Sequence, residues 1–458
     1  MTTTPQDLVE HALATSTSDQ CIAIVHDSSS ANLRWANNTL TTNGVMHGID
    51  VTVLAFQGQG NASISGSAAS LEQVTALVEQ ADTDARSAHP AEDRADLVRG
   101  AVADDWSEGP VDTSVEIFRE FARALGDEFG RADAEDRILY GFVNHEMTTT
   151  YLGSSTGLRL RHVQPTGHFG CTGKAADLTN SAWVGGATRD FADVDAHQMA
   201  ADVATRLSWG ARRFDLPAGR YDTVLPPTAL ADLMIDAYWS AGARVAHEGQ
   251  SVYSRAGGGT RVGDALVKPT VTLFSDPAYP GLECAPFVIA SGSSNESSVY
   301  DNGISLARTP WIEDGVLTSL IQTRHSAGLT GLDTTPGIDN LVLDVSGGTG
   351  SDLDLISGVE DGLLLTCLWY IREVDPQTLL LTGLTRDGVY RVRDGEVVGA
   401  VNNFRFNESP IDLLRRFTAA GATVPSFSRE WGDDYFSRTA TPALRVPDFN
   451  MSSVSQAL

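Results

Sequence analysis

The segment Thr228-Ala-Leu-Ala-Asp-Leu-Met-Ile-Asp-Ala-Tyr-Trp-Ser-Ala-Gly242 has the marks of a packed helix. Leu230, Leu233, Met234, Ala237 and Ala241 recur at three- and four-residue spacings, which predicts a helix over Ala229–Ala241 with one apolar stripe. Thr228 is placed to accept from a free backbone N–H of the first turn, and Gly242 to end the helix in the left-handed conformation. Beyond it the chain reads as short strands separated by Gly, Asp and Asn turns, so this helix stands at the centre of a β-rich region.

Toward the N-terminus the texture changes around Pro217–Gly219. Asp7–Thr15 reads as an opening helix, and Cys21–His26, Ala31–Leu40 and Gly48–Phe56 as strands. Helical spacing returns in Leu71–Ser87, Thr113–Phe129 and Asp190–Leu207, with strands expected at Ile138–Tyr151 and Leu158–Pro165. The acidic, irregular stretch Pro90–Val111 is expected to be an exposed loop. The prediction is an α+β protein with a boundary near residue 215. Residues 1–215 would pack helices on a mixed sheet, and 216–458 would form the β-rich domain around one helix.

At 458 residues, 42% of them hydrophobic, the chain is long enough for two or more packed cores. Acidic residues outnumber basic ones 59 to 32, for a net charge of −27. That surface repels phosphate backbones and anionic lipid, which argues against nucleic-acid and membrane partners; most of the charge is simply solvated. Cys21, Cys171, Cys284 and Cys367 are far apart and form no CxxC pair, which fits a reducing cytoplasm. The first residues lack a basic n-region, and the longest apolar run, Gly362–Ile371, is about half a membrane span. A soluble cytoplasmic protein is expected.

Most motifs with catalytic overtones fail on context. Gly153-Ser-Ser-Thr-Gly157 matches GxSxG, but a nucleophile elbow needs a helix after it and a strand follows here, so a hairpin turn is favoured. A zinc peptidase needs His-Glu with a second histidine on the same helix: the imidazoles hold the metal and the glutamate activates water. His145-Glu146 runs into Met147-Thr-Thr-Thr150, and His247-Glu248 into Gly249-Gln-Ser-Val252, with no second histidine in either case. Both pairs are expected to be surface or hairpin residues, and His162 and His168 lack a carboxylate or cysteine at ligand spacing.

Several segments together resemble the TldD/PmbA peptidase family. They are Arg34-Trp-Ala-Asn-Asn-Thr-Leu-Thr41, Gly249-Gln-Ser-Val-Tyr-Ser254, Asp301-Asn-Gly303 followed by Ile312-Glu-Asp-Gly-Val-Leu317, Asn340-Leu-Val-Leu343, Val359-Glu-Asp-Gly-Leu-Leu364, Val374-Asp-Pro-Gln-Thr378 and Tyr390–Val398. Their order covers nearly the whole chain. Active TldD-type members carry HExxxH on one helix and a late cysteine as third zinc ligand. Aligned on Asp236-Ala237, this helix has Ile235 at the first histidine, Asp236 at the glutamate and Ser240 at the second histidine. No cysteine follows Cys367, and the expected position falls near Ser428.

The resemblance is therefore to the TldE/PmbA-like subunit, with the zinc motif absent. It implies no catalytic, cofactor or metal residues in this chain. It also implies zinc in a TldD-like HExxxH partner, an unfolded peptide as substrate, and a non-catalytic place in a heterodimeric protease used for proteolysis or peptide maturation. Two alternatives stay open at this point: a hydrolase that recruits His145, Glu146, His247 or a cysteine in space, and a stand-alone peptide-binding protein.

Overall fold

The computed structural model describes residues 3–432 and 436–455. Helix α1 (Pro5–Thr15) is followed by three strands, β1 (Gln20–Ala36), β2 (Thr39–Gln57) and β3 (Gly60–Ser67), and by α2 (Leu71–Ser87). The irregular stretch over Pro90–Val111 then leads to α3 (Arg119–Ala134), β4 (Arg137–Ser154), β5 (Arg159–Ala175), β6 (Ser181–Thr188) and α4 (Ala196–Trp209). The strands form one sheet in the order β3-β2-β1-β4-β5-β6, and every neighbouring pair is antiparallel. The mixed sheet expected from sequence is thus corrected. Tight connections dictate the difference: Asn37 and Asn38, both at positive φ, turn β1 back along β2, as a two-residue hairpin loop requires.

The sequence suggested a break between Cys21–His26 and Ala31–Leu40, but β1 runs through it, and Asp27-Ser-Ser-Ser30 lies inside the strand. Side chains alternate across a strand, so Cys21, Ala23, Val25, Asp27, Ser29, Ala31, Leu33 and Trp35 share one face. Cys21, Ala23 and Val25 pack with Leu8, Val9 and Ala12 of α1 and with Val74, Val78 and Ala81 of α2. Ala31, Leu33 and Trp35 pack with Phe121 and Leu125 of α3 and with Met199 and Val203 of α4. Asp27 and Ser29 fall between these two cores. On the opposite face, Ile22, Ile24 and Leu152 pack against Phe287, Val299 and Tyr300 from the second half of the chain.

The start of α4 also differs from the sequence reading. Asp195 accepts from the backbone N–H groups of His197 and Gln198, and that cap sets the helix start at Ala196, six residues beyond Asp190.

In the second half, β7 (Arg213–Phe214) pairs with Ala400–Val401 and β8 (Gly219–Leu225) lies in the large sheet. The next element, α5 (Pro227–Trp239), is the helix foreseen over Ala229–Ala241. It packs among Leu273, Leu341 and Leu343 of a six-stranded sheet and Leu363, Phe404, Phe406 and Leu444 of the large sheet. This is α+β architecture, with a β-rich region built about α5. The caps differ from expectation. Pro226 is the N-cap and Pro227 opens the helix, where a missing N–H costs nothing. Ser240 closes it, and Gly242, at φ −65°, instead begins the short helix Ala243–His247. No helix among the described residues is long and apolar enough to cross a membrane.

Candidate functional site

Within α5 two acids, Asp232 and Asp236, interrupt an otherwise apolar surface one turn apart. Asp232 is fully buried. The segment that follows the strand Val424–Ser426 closes over it: Ser428 Oγ donates to Asp232 Oδ1 at 2.5 Å, and the Glu430 N–H donates to the same oxygen at 3.0 Å. The Trp431 backbone N–H donates to Ser428 Oγ at 2.9 Å and its indole Nε1–H to the Asp232 carbonyl at 3.2 Å, locking the loop to the helix.

Asp232 Oδ2 and Asp236 Oδ2 are both buried without a hydrogen-bond partner among the described residues. Burial pushes the Asp232 carboxyl up to about 8, despite the Ser428 and Glu430 donors that favour its ionised form. Burial likewise pushes Asp236 up to about 7, against a hydrogen bond from Trp431 and with Glu373 and Glu430 adding repulsion. Both groups hold a proton far above the usual carboxylate range.

The surroundings tie this helix to the first sheet. Arg429 lies over the rings of Trp369 at 4.1 Å and Trp183 of β6 at 5.2 Å. His168 of β5 stacks on Phe427 with ring centroids 5.7 Å apart. Glu430 Oε1 accepts from the Ile371 N–H at 3.1 Å and lies 3.7 Å from Arg372 Nη1. The acid pair therefore sits near the seam between the two halves.

Of the positions singled out in sequence, Ile235 is fully buried in the main core and Ser240 caps the end of α5. Ser428, the position expected for the cysteine, meets Asp232 rather than these residues. If Ser428 marks the motif, its register moves one turn toward the N-terminus, placing Ala231, Asp232 and Asp236 where HExxxH has His, Glu and His. Two acids four residues apart in an apolar helix were the sequence signal for this; the contact with Ser428, 196 residues away, was not readable.

Neither His-Glu pair joins the site. His145 is not a surface or hairpin residue: it is buried in β4, with Nδ1 at 2.7 Å from Thr113 Oγ1 and Nε2 at 2.7 Å from the Arg189 carbonyl. Glu146 accepts from Thr148 at 2.7 Å. His247 is exposed at the end of its short helix, and Glu248 pairs with Arg244 at 3.1 Å. His162 bonds Gln164 at 3.1 Å. Gly153–Gly157 is a hairpin turn between β4 and β5, as expected, with Ser154 buried and bonded to Thr156. The four cysteines are buried; desolvation raises Cys21, Cys171 and Cys284 to about 12 and Cys367 further still. None offers a ready thiolate at neutral pH.

The second half of the chain is a β-rich region built on one central helix, whose acid pair is capped by a late loop. The chain belongs to the PmbA/TldD family: the PmbA/TldA metallopeptidase C-terminal domain matches residues 218–453 and the central domain matches residues 64–210. Solved structures of the same fold lie at low sequence identity. TldE from Thermococcus kodakarensis superposes with a TM-score of 0.74 at 15% identity, over 97% of this chain and 99% of that one. A candidate modulator of a DNA gyrase from Thermotoga maritima gives 0.76 at 16% identity, over 97% and 99%. A similar candidate modulator from Bacteroides thetaiotaomicron gives 0.73 at 15%, over 98% of each chain. No curated protein matches the sequence.

Proposed function

We propose that this chain is the non-catalytic subunit of a TldD–TldE-type heterodimeric zinc metalloprotease that acts on unfolded peptides, in proteolysis or peptide maturation. The observation that carries this reading is the state of α5. Where an active member presents imidazoles, this helix presents a buried acid pair that favours its protonated form, closed beneath Ser428, Glu430 and Trp431. Zinc in an HExxxH partner would supply the activated water; this chain would shape or close the peptide channel.

The hydrolase alternative loses support at each recruited residue. Both His145 nitrogens are engaged, and burial lowers its affinity for a proton. Glu146 shares neither a helix nor a partner with a second histidine, and the cysteines are desolvated thiols. A full-length family scaffold with no HExxxH on its central helix suits a partner of the same fold, joined across a pseudo-twofold contact that exceeds roughly 2,000 Å². The test is to mix the purified chain with an HExxxH family member. A 1:1 complex that cleaves an unstructured peptide and is stopped by a chelator supports the proposal. Peptide binding without any such complex favours the stand-alone alternative.

A further inference from the structure

The polar interruption of β1 has its own chemistry, away from α5. Asp27 is only 4% exposed, set between two apolar cores on the helix-covered face. Its Oδ1 lies 2.8 Å from His47 Nε2. Asp27 pairs across the strands with Ile49, and His47 pairs with Ser29, so Asp27 and His47 are diagonal neighbours on one face.

A third group is brought to this pair by the chain leading to α3. The Val111 N–H donates to Thr149 Oγ1 at 3.0 Å and the Thr113 N–H to Ser29 Oγ at 2.8 Å. Thr113 Oγ1 also bonds His145 Nδ1 at 2.7 Å. These anchors on either side hold Asp112 with Oδ1 3.8 Å from His47 Nε2. Burial pushes the Asp27 carboxyl up, the charge and hydrogen bond of His47 pull it down, and Asp112 adds a smaller upward push. The anchoring places an imidazole and two carboxylates around one point.

We propose that Asp27, His47 and Asp112 form a binding site for a divalent transition cation of the zinc or manganese kind, clipping β1, β2 and the loop before α3 together. The three donor atoms all lie within 4.8 Å of one another. Tetrahedral bonds of about 2.1 Å separate ligand atoms by roughly 3.4 Å, so the 2.8 and 3.8 Å separations need only small adjustments. His47 and Asp112 are 48% and 63% exposed and free to make them. One imidazole nitrogen with two carboxylate oxygens suits zinc or manganese; it lacks the thiolates that select soft cations and the all-oxygen shell of calcium. Three protein ligands leave a position open toward solvent. The sequence expectation of no metal weighed the α5 motif, the two His-Glu pairs, His162 and His168; Asp27, His47 and Asp112 come together only in the fold.

The test uses the full chain, stripped with chelator and dialysed, then titrated with Co²⁺ followed by absorption and with Zn²⁺ followed by calorimetry. One equivalent should bind. Asp112→Asn and His47→Gln, both surface changes, should keep the circular dichroism of the parent and weaken binding at least about tenfold. Asp236→Asn on α5 should leave binding unchanged. Absence of binding to the parent chain, equal binding by the two surface variants, or loss confined to Asp236→Asn would each overturn the proposal. None of these outcomes bears on the heterodimer reading, which rests on α5.

Discussion

Replacing Asp232 by Asn tests whether α5 holds a buried neutral acid. With its affinity for a proton raised to about 8, Asp232 keeps its proton in the folded state while the unfolded chain, at its ordinary value of 3.8, gives it up. The folded state then binds more protons than the unfolded one between those values, so this group's contribution is complete at low pH and is lost as pH rises toward 8. For one such group the slope is about 1.4 kcal/mol per pH unit, or about 3 kcal/mol between pH 5 and pH 7. Asn preserves the shape and the oxygen that accepts from Ser428 and Glu430, but carries no titrating proton. Urea unfolding at pH 5, 6 and 7 should show the parent losing stability faster than Asp232→Asn, with a difference in slope on the order of 1 kcal/mol per pH unit. Parallel pH profiles would refute the desolvated-acid account, and a parent that gains stability relative to the variant as pH rises would reverse its sign.

Other consequences are equally direct. Ile235 is fully buried, so Ile235→Ala should cost about 2–5 kcal/mol in urea unfolding; an effect below 1 kcal/mol would mean that the α5 core is loosely packed. Leu368–Asp375 forms an edge of the large sheet beside Glu373 and Glu430, a place where an extended peptide can add by backbone pairing. Basic peptides should bind there with little sequence preference and weaken as salt rises. Binding that is insensitive to salt, or that depends on one side chain at one position, counts against this edge. Asp236→Ala should leave peptide cleavage by the reconstituted complex within about twofold of the parent, since rate changes of that size correspond to well under 1 kcal/mol.

What could be read from sequence was the local part. Leu71–Ser87 and the body of α5 follow from apolar spacing, and the Gly153–Gly157 turn from its flanking strands. The errors arose where tertiary packing overrides local pattern. Asp27-Ser-Ser-Ser30 looks like a break, yet cross-strand pairing with β2 and β4 carries the strand through it. The strand Ser181–Thr188 (SAWVGGAT) was missed because its glycines dilute the pattern; Gly185 and Gly186 are required where Trp183 and Phe169 press on the backbone. His145 looked peripheral because its partners, Thr113 and Arg189, come from distant segments. The same limit applies to the site. The acids of α5 were visible, but their burial and closure by Ser428 and Trp431 belong to the fold.

The division of labour is tested most directly by peptide cleavage with an HExxxH sister subunit, measured alone and with one equivalent of this chain. The account predicts no cleavage by this chain alone and strong cleavage by the 1:1 complex. That cleavage should be abolished by a chelator or by replacing the sister's glutamate, and should survive Asp236→Ala here. A sister that cleaves equally well without this chain, or a complex silenced by Asp236→Ala, would contradict it.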